Sequence, residues 1–309
     1  VHPVLELLRA RGEALRARGP GAAPEGFGDG ARLALVLEGG GMRGVVSCAM
    51  AEALQARGLT GAFDLVVGTS AGALNGAAFL AGVAAGCTDN YCDASTVRRY
   101  IAPRRLLIGR AAVDVAYTLD QVTDGLDADR HRRTAEAPAP LRCVAIDVDT
   151  ARPEVLGDLT SVEELRGALL ATSRLPWLGG DPVAFRGRRW LDGGLADPIP
   201  VDAALAAGAT HALVLQTRPE GVARTPAGGP IERIIERRLR ALNPDLVPLA
   251  RDRFAVYEQV VARIATDATA VLGVRLPAGT EPVGQLERSS SVLRAAADAA
   301  FAHVDALLA

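Results

Sequence analysis

One stretch constrains this chain more than any other: Asp64-Leu-Val-Val-Gly68-Thr-Ser70-Ala-Gly72-Ala-Leu-Asn75, an apolar run that breaks at a glycine, presents a serine and turns into small residues. The pattern predicts a strand, a sharp turn and a helix. Gly68-x-Ser70-x-Gly72 suits a nucleophile, because a tight strand-to-helix turn pushes the serine side chain out of the sheet. The flanking glycines leave room for unusual dihedrals and close helix packing. Backbone N–H groups at the start of the new helix point to the same place, where a developing oxyanion is stabilised. Gly, Ser and Ala are common residues, so the pentapeptide takes its weight from its surroundings.

Residues 32–38 (Arg-Leu-Ala-Leu-Val-Leu-Glu) read as a buried strand, followed at once by Gly39-Gly40-Gly41-Met42-Arg43-Gly44 and a helical pattern over 45–57. With a second strand at 63–67, this is a βαβα unit, which implies a parallel sheet with a right-handed crossover. Upstream, residues 4–18 repeat apolar positions at helical spacing, and 19–30 are rich in glycine and proline, predicting a helix on a tether. Residues 88–133 predict an irregular, mainly helical excursion interrupted by Pro103 and Gly109. A strand is expected over 141–149, and a helix over 161–172 with Ser161 and Glu164 at capping-box spacing. Residues 183–191 read as a hairpin turned at Arg186-Gly187, leading into Asp192-Gly193-Gly194. A short helix (200–207) and a strand (210–216) follow, then a loop or lid over 218–230. The end of the chain reads as helices over 231–242, 246–266 and 291–308 with a strand at 270–276. The division expected is a helix and linker over 1–30 and a single domain over 31–309, made of a motif core at 32–217 and an extension at 218–309.

Across its 309 residues, 34 basic residues nearly balance 36 acidic ones, for a net charge of −2, so no global electrostatic case exists for nucleic acid. Every basic residue is arginine, which reads most simply as the mark of a GC-rich genome. Cys48, Cys87, Cys92 and Cys143 lack C-x-x-C spacing and read as reduced thiols, neither a disulfide framework nor a zinc site. Residues 1–19 carry arginines and glutamates among their leucines and do not read as a secretory signal. The least polar run, 71–86, is too short to span a bilayer and contains Asn75. A cytoplasmic protein is expected. The basic amphipathic helix at 231–242 has two readings, a surface helix resting on the core or a peripheral membrane contact.

The glycine loop also fits Gly-x-Gly-x-x-Gly, the dinucleotide fingerprint, but the acid at about the right separation, Asp64, precedes the second strand instead of ending it. A nest of backbone N–H groups for an anion, with Arg43 close by, is the better reading; a purely structural turn is the other. An activated serine needs a base. Of the four histidines, His2 is terminal, His131 lies in an arginine-rich patch, His211 precedes a strand and His303 sits in the last helix. His211 and His303 satisfy the Ser…Asp…His order, though none has a loop context suited to a catalytic imidazole. Asp192 instead heads Asp-Gly-Gly directly after a strand, as an exposed carboxylate or an Asx-turn residue.

Taken together, Gly39-Gly40-Gly41-Met42-Arg43-Gly44, Gly68-Thr69-Ser70-Ala71-Gly72, Ala171-Thr172-Ser173-Arg174-Leu175-Pro176 and Asp192-Gly193-Gly194 resemble, in order and spacing, the motifs of the patatin-like phospholipase family. The resemblance spans residues 32–217. It implies a three-layer α/β/α fold with a mainly parallel central sheet, and a Ser–Asp dyad with Ser70 as nucleophile and Asp192 as base. Gly40 and Gly41 would offer oxyanion-hole N–H groups beside Gly39 and Gly44, and Arg43 would hold the loop or an anionic head group. Gly68 and Gly72 flank the elbow, and Gly193 and Gly194 complete the aspartate motif. The implied activity is hydrolysis of a phospholipid or related acyl ester through an acyl-enzyme, without metal or cofactor. Transfer of the acyl group as a thioesterase or acyltransferase is an alternative, as is a non-catalytic anion-binding module. One demand stands out: a carboxylate at its ordinary pKa of about 3.9 accepts a hydroxyl proton poorly, so Asp192 must be raised by burial.

Overall fold

The computed structural model describes residues 1–19, 26–108, 110–121, 127–176, 178–224 and 229–309. In chain order its first half runs α1 (Pro3–Arg18), β1 (Leu33–Leu37), α2 (Gly44–Ala56), β2 (Leu65–Thr69), α3 (Ala71–Leu80), α4 (Ala84–Cys92), α5 (Ala94–Tyr100), α6 (Val115–Gln121), α7 (Ala128–Ala135) and β3 (Leu141–Asp147). It continues with β4 (Arg152–Leu156), α8 (Val162–Thr172), β5 (Val183–Phe185), β6 (Arg188–Asp192), α9 (Val201–Ala206), β7 (His211–Leu215), α10 (Gly229–Leu242), α11 (Leu246–Thr266), β8 (Val271–Val274) and α12 (Ser290–Leu308).

The strands form one sheet in the order β5-β6-β3-β2-β1-β7-β8, with β4 also on β3. β3, β2, β1, β7 and β8 run parallel, and β4, β5 and β6 add the antiparallel pairings. Because side chains alternate along a strand, the five apolar residues of β1 divide between two faces. Leu33, Leu35 and Leu37 join a core with Val45, Val46 and Met50 of α2 and with Leu293, Ala297 and Ala300 of α12. Ala34 and Val36 join a second core with Val201 and Ala204 of α9 and with Tyr257 and Ile264 of α11. Helices therefore cover both faces, and the molecule is a three-layer α/β/α structure with a mainly parallel sheet. The continuous apolar run of β1 is the signature of a strand buried on both sides.

The predicted hairpin forms at Arg186 and Gly187, whose φ values of 49° and 70° both lie in the left-handed region that a two-residue turn requires. Ser161 caps α8, its Oγ accepting from the Glu164 N–H at 3.2 Å. The described residues of 84–135 form short helical pieces, in line with the irregular, mainly helical excursion predicted for 88–133; Gly109 and residues 122–126 lie outside the described residues. β4 has no counterpart in the sequence reading: it is mostly exposed and contains Pro153, a residue confined to sheet edges.

The N-terminal helix differs from the tethered one expected. Val4 and Leu8 are fully buried in the main core. Arg11, only 2% exposed, donates to Asp29 at 2.8 Å, to Asp64 at 2.7 Å and to the Ala62 carbonyl at 2.8 Å. A buried guanidinium satisfied by two carboxylates and backbone oxygens pins α1 to the loops that feed β1 and β2. α10 rests on a third core through Ile235 and Leu239, leaving Ile234 outward; the Ile231 side chain lies outside the described residues.

Candidate active site

The register of β3 brings two sequence-distant segments together. β4 occupies one edge of β3 through residues 143–147, so β2 and β6 share the other edge in succession. Thr69, the last residue of β2, pairs with Val144, and Asp192, the last residue of β6, pairs with the next residue, Ala145. The two strands run toward each other and end tip to tip. Ser70 Oγ donates to Asp192 Oδ2 at 2.7 Å, and Asp192 Oδ1 accepts from the Gly194 N–H at 2.7 Å.

Ser70 occupies φ 55° and ψ −127°, a strained conformation for a residue with a side chain, costing about 1–3 kcal/mol. The surroundings hold it there. Its N–H donates to Thr172 Oγ1 at 2.9 Å, and the Thr172 hydroxyl donates in turn to the Val144 carbonyl. Two residues on, the Arg174 carbonyl accepts from the Asp192 N–H at 2.9 Å. The Ala171–Pro176 motif thus props both partners of the pair. The elbow glycines serve close approach: a Cβ on Gly72 would lie 2.2 Å from the Leu37 carbonyl oxygen, and one on Gly68 would lie 2.5 Å from the Ala73 nitrogen. Gly193 passes equally close to the Val144 carbonyl.

Asp192 is 3% exposed, and burial lifts its carboxyl from the ordinary 3.8 to about 6. The Ser70 hydroxyl, the Gly194 N–H and the charge of Arg224 oppose that rise without cancelling it. The weak-base problem posed by the sequence is thereby eased: a carboxyl titrating near 6 is a better proton acceptor at neutral pH than one at 3.9.

The glycine loop is divided in its geometry. The Gly39 N–H donates to the Pro198 carbonyl at 3.0 Å, and the Gly44 N–H turns back on the carbonyls of Gly41 and Met42, so neither faces the serine as a free donor. Gly39 is needed for room, since its Cβ would meet the Thr69 carbonyl oxygen at 2.6 Å; Gly44 packs on Tyr91 and Ala71. Gly40 and Gly41 line the cavity with Ser70, and among the described residues no acceptor is recorded for their N–H groups. Arg43 lines the same cavity, 8% exposed, its pKa pushed down to about 10 by burial and then by the charges of Arg218 and Arg224.

The cavity over Ser70, about 130 Å³, contains no histidine among the described residues. His2 caps α1, and His131 bonds the Leu159 carbonyl. His211 begins β7, at the opposite end of the parallel strands from Ser70, and His303 lies in α12. Asp64 accepts from Arg11 and from the Leu33 N–H at the amino end of the sheet, away from the glycine loop. Among the described residues no group of three His, Cys, Asp or Glu side chains is placed to hold a metal ion, and no helix is long and apolar enough to cross a membrane.

Several cavity residues escaped the sequence reading. Glu38, 1% exposed at the end of β1, accepts from the Thr217 N–H at 2.7 Å. Gln285 accepts from the Met42 N–H at 3.0 Å and covers Gly41. Arg218, Arg224, Arg253 and Tyr257 close the cavity from the C-terminal side. In a chain whose 34 basic residues are all arginine, no local pattern distinguishes these three from the others.

Three comparisons place the chain among known proteins. A model of the family described as patatin-like phospholipase matches residues 35–205, more than half of the chain. The chain is 29% identical over 197 residues to "Uncharacterized protein YjjU" of Escherichia coli K12, covering 63% of this chain and 54% of that one. It is 28% identical over 187 residues to "Lysophospholipase NTE1" of Mycosarcoma maydis, covering 58% of this chain and 9% of that one. The chain therefore spans about half the length of the first relative and a small part of the second. Among solved structures, VipD from Legionella pneumophila aligns over 89% of this chain and 67% of its own, with a TM-score of 0.44 and 13% identity.

Proposed function

The chain belongs to the patatin-like phospholipase family, and from that membership we propose that it is a lipid acyl hydrolase that cleaves carboxylic esters through Ser70 and Asp192. The observation that carries the reading is the 2.7 Å hydrogen bond from Ser70 Oγ to a buried Asp192, in a cavity lined by no histidine among the described residues. A relative named as a lysophospholipase supports a lipid ester as substrate.

In this mechanism Ser70 Oγ attacks the ester carbonyl carbon while its proton passes to Asp192 Oδ2. The N–H groups of Gly40 and Gly41 receive the oxyanion. Collapse of the tetrahedral intermediate breaks the bond to the alcohol, which leaves with the proton from Asp192, and the acyl group stays on Ser70. Water then gives a proton to Asp192 and attacks the acyl carbonyl, and the second collapse returns the proton to Ser70 and frees the fatty acid. Arg43 steadies the loop or an anionic head group. The four free cysteines suit a reducing compartment, the cytoplasm.

The test is hydrolysis of a p-nitrophenyl ester and of a phospholipid panel by wild type, Ser70→Ala and Asp192→Asn, with fluorophosphonate labelling of each. Wild type is expected to turn over and to label at Ser70, and both variants to be inactive. Full activity in either variant overturns the dyad, and release of acyl-transfer products in place of fatty acid overturns the hydrolase.

A further inference from the structure

The cavity over Ser70 has one wall that the family match does not reach. Arg218 and Arg224 enter it from the segment that follows β7 and stand beside Arg43 of the glycine loop. Their guanidinium groups lie 5.6 Å from the centre of the same ring, that of Tyr257, which serves as a shared platform for cations.

What sets these three arginines apart is that, among the described residues, none forms a contact ion pair, although the charge of Glu38 acts on Arg43 and Arg224 at longer range. Arg253, the fourth arginine in the wall, is paired with Glu232, its Nη2 lying 2.7 Å and 2.5 Å from the two carboxylate oxygens. Among the described residues no carboxylate stands within ion-pair distance of Arg43, Arg218 or Arg224. Among the described residues Arg43 Nε and Arg218 Nε are buried without a hydrogen-bond partner. Among the described residues the Arg224 guanidinium donates to the carbonyls of Arg253 at 3.4 Å and Gly194 at 3.5 Å and lies over the rings of Phe254 and Tyr257. Glu38 faces the cluster but is held by the Thr217 N–H, and Asp192 is held by Ser70 and Gly194. Burying like charges with unmet donors is costly unless something completes the site. Burial, and then the charges of Arg253 and Arg218, push the Arg224 pKa down to about 10 against the opposing charge of Glu38.

We propose that Arg43, Arg218 and Arg224 form an anion subsite beside Ser70, and that the substrate is an acyl ester whose alcohol portion carries a phosphate monoester. Planar guanidinium forks match phosphate oxygens, and three of them favour a dianion over a zwitterionic or uncharged head group. Arg218 and Arg224 are then specificity residues supplied by the C-terminal segment. The subsite stands on its own geometry; only its description as a substrate site rests on the acyl-hydrolase reading.

Two measurements on the full chain separate these claims. In the first, inorganic phosphate is titrated into Ser70→Ala by calorimetry, alone and combined with Arg218→Gln or Arg224→Gln. Binding is expected in Ser70→Ala, with Kd raised about tenfold by each arginine substitution. No binding, or binding that ignores both substitutions, overturns the subsite whatever Ser70 does. Arg218→Lys and Arg224→Lys keep the charge and lose the fork, and serve where a glutamine variant fails a circular-dichroism check of folding; they are expected to bind phosphate more weakly than the parent, and unchanged binding again counts against the subsite. In the second, wild type hydrolyses 1-oleoylglycerol 3-phosphate, 1-oleoylglycerophosphocholine and 1-oleoylglycerol. A kcat/KM about tenfold or more higher for the phosphate monoester than for the uncharged ester is expected, expressed mainly in KM and reduced by the arginine substitutions. Equal kcat/KM for the three esters overturns the substrate assignment while leaving the phosphate titration to judge the subsite.

Discussion

Two regions of the molecule meet over Ser70 and contribute to the cavity in different ways. The motif core, residues 35–205, places Ser70 and Asp192 by backbone geometry: two strands ending tip to tip on β3, a serine in a left-handed conformation, and glycines where another backbone passes too close for a side chain. The C-terminal segment, from residue 218 onward, contributes chiefly side chains, the arginines, Tyr257 and Gln285, and the Gln285 carbonyl that holds the glycine loop. The first contribution has almost no freedom to change, because a shift of one residue in register would separate Ser70 from Asp192. The second can change one side chain at a time without disturbing the sheet. With the roles proposed above, reacting groups sit on rigid elements and selective groups on loops and helices outside them, an arrangement by which one scaffold serves many substrates.

The largest effect expected tests the core. Asp192→Asn keeps the shape and removes the proposed base, and hydrolysis of an uncharged ester should fall by at least about 10³-fold. The same substitution should not destabilise the fold at neutral pH. Burial holds the Asp192 carboxyl near 6 in the folded chain against an ordinary 3.8, so its protonated form favours the folded state. That contribution is complete below 3.8 and is lost as pH rises through 6. Urea titrations at pH 4 and pH 8 should therefore show the asparagine variant gaining on wild type between them, by on the order of 3 kcal/mol. A loss at pH 8 would break the assignment of burial as the dominant cause.

Next in size is Gly72→Ala, which would place a methyl 2.2 Å from the Leu37 carbonyl oxygen, and its urea midpoint should drop by the equivalent of about 3 kcal/mol. Thr172→Val leaves the buried Ser70 N–H without its acceptor and should cost about 1–3 kcal/mol together with activity, because the elbow loses its prop. If stability falls and activity does not, Ser70 is held by its turn alone.

A smaller effect couples the two regions. The charge of Arg224 lowers the Asp192 pKa, so in wild type kcat/KM should rise with pH through about 6 to a plateau, and Arg224→Gln should move that acid limb to higher pH. An unmoved limb would leave the regions electrostatically independent. The smallest effect is expected in the C-terminal segment itself: a Cβ on Gly284 would meet nothing closer than 3.8 Å, so Gly284→Ala should stay within about 0.5 kcal/mol of wild type. The contrast with Gly72 in the same assay measures how differently the two regions tolerate change.

Legibility followed the same division. The strand–loop–helix order around Gly39–Gly44 and Gly68–Gly72 could be read because close backbone approach demands glycine, and glycine leaves its mark in the sequence. The hairpin at Arg186-Gly187 was legible for a related reason. β4 was not, since an exposed edge strand containing Pro153 has no apolar alternation to show. The docking of α1 escaped because Arg11 looks like a solvent-facing residue until Asp29 and Asp64 are brought to it. The residues of the loop alone do not separate Gly39 from Gly40 and Gly41; the family resemblance implied the last two as donors, and the Pro198 carbonyl is what takes the Gly39 N–H.

By itself the sequence determined a parallel βαβα unit, through an apolar β1 and a crossover of helical period, and its four ordered motifs, through their resemblance to the patatin-like family, implied the three layers and singled out Ser70 and Asp192. Only the tertiary structure decided that the two meet, that burial raises the aspartate, which glycine N–H groups remain unengaged, and which of 34 arginines face the serine. The physical reason is range. Propensity and close backbone approach act over a few residues and are written locally, whereas desolvation and the pairing of charges depend on groups more than a hundred residues apart, such as Ser70 and Asp192, that share a place only once β3 has set their register.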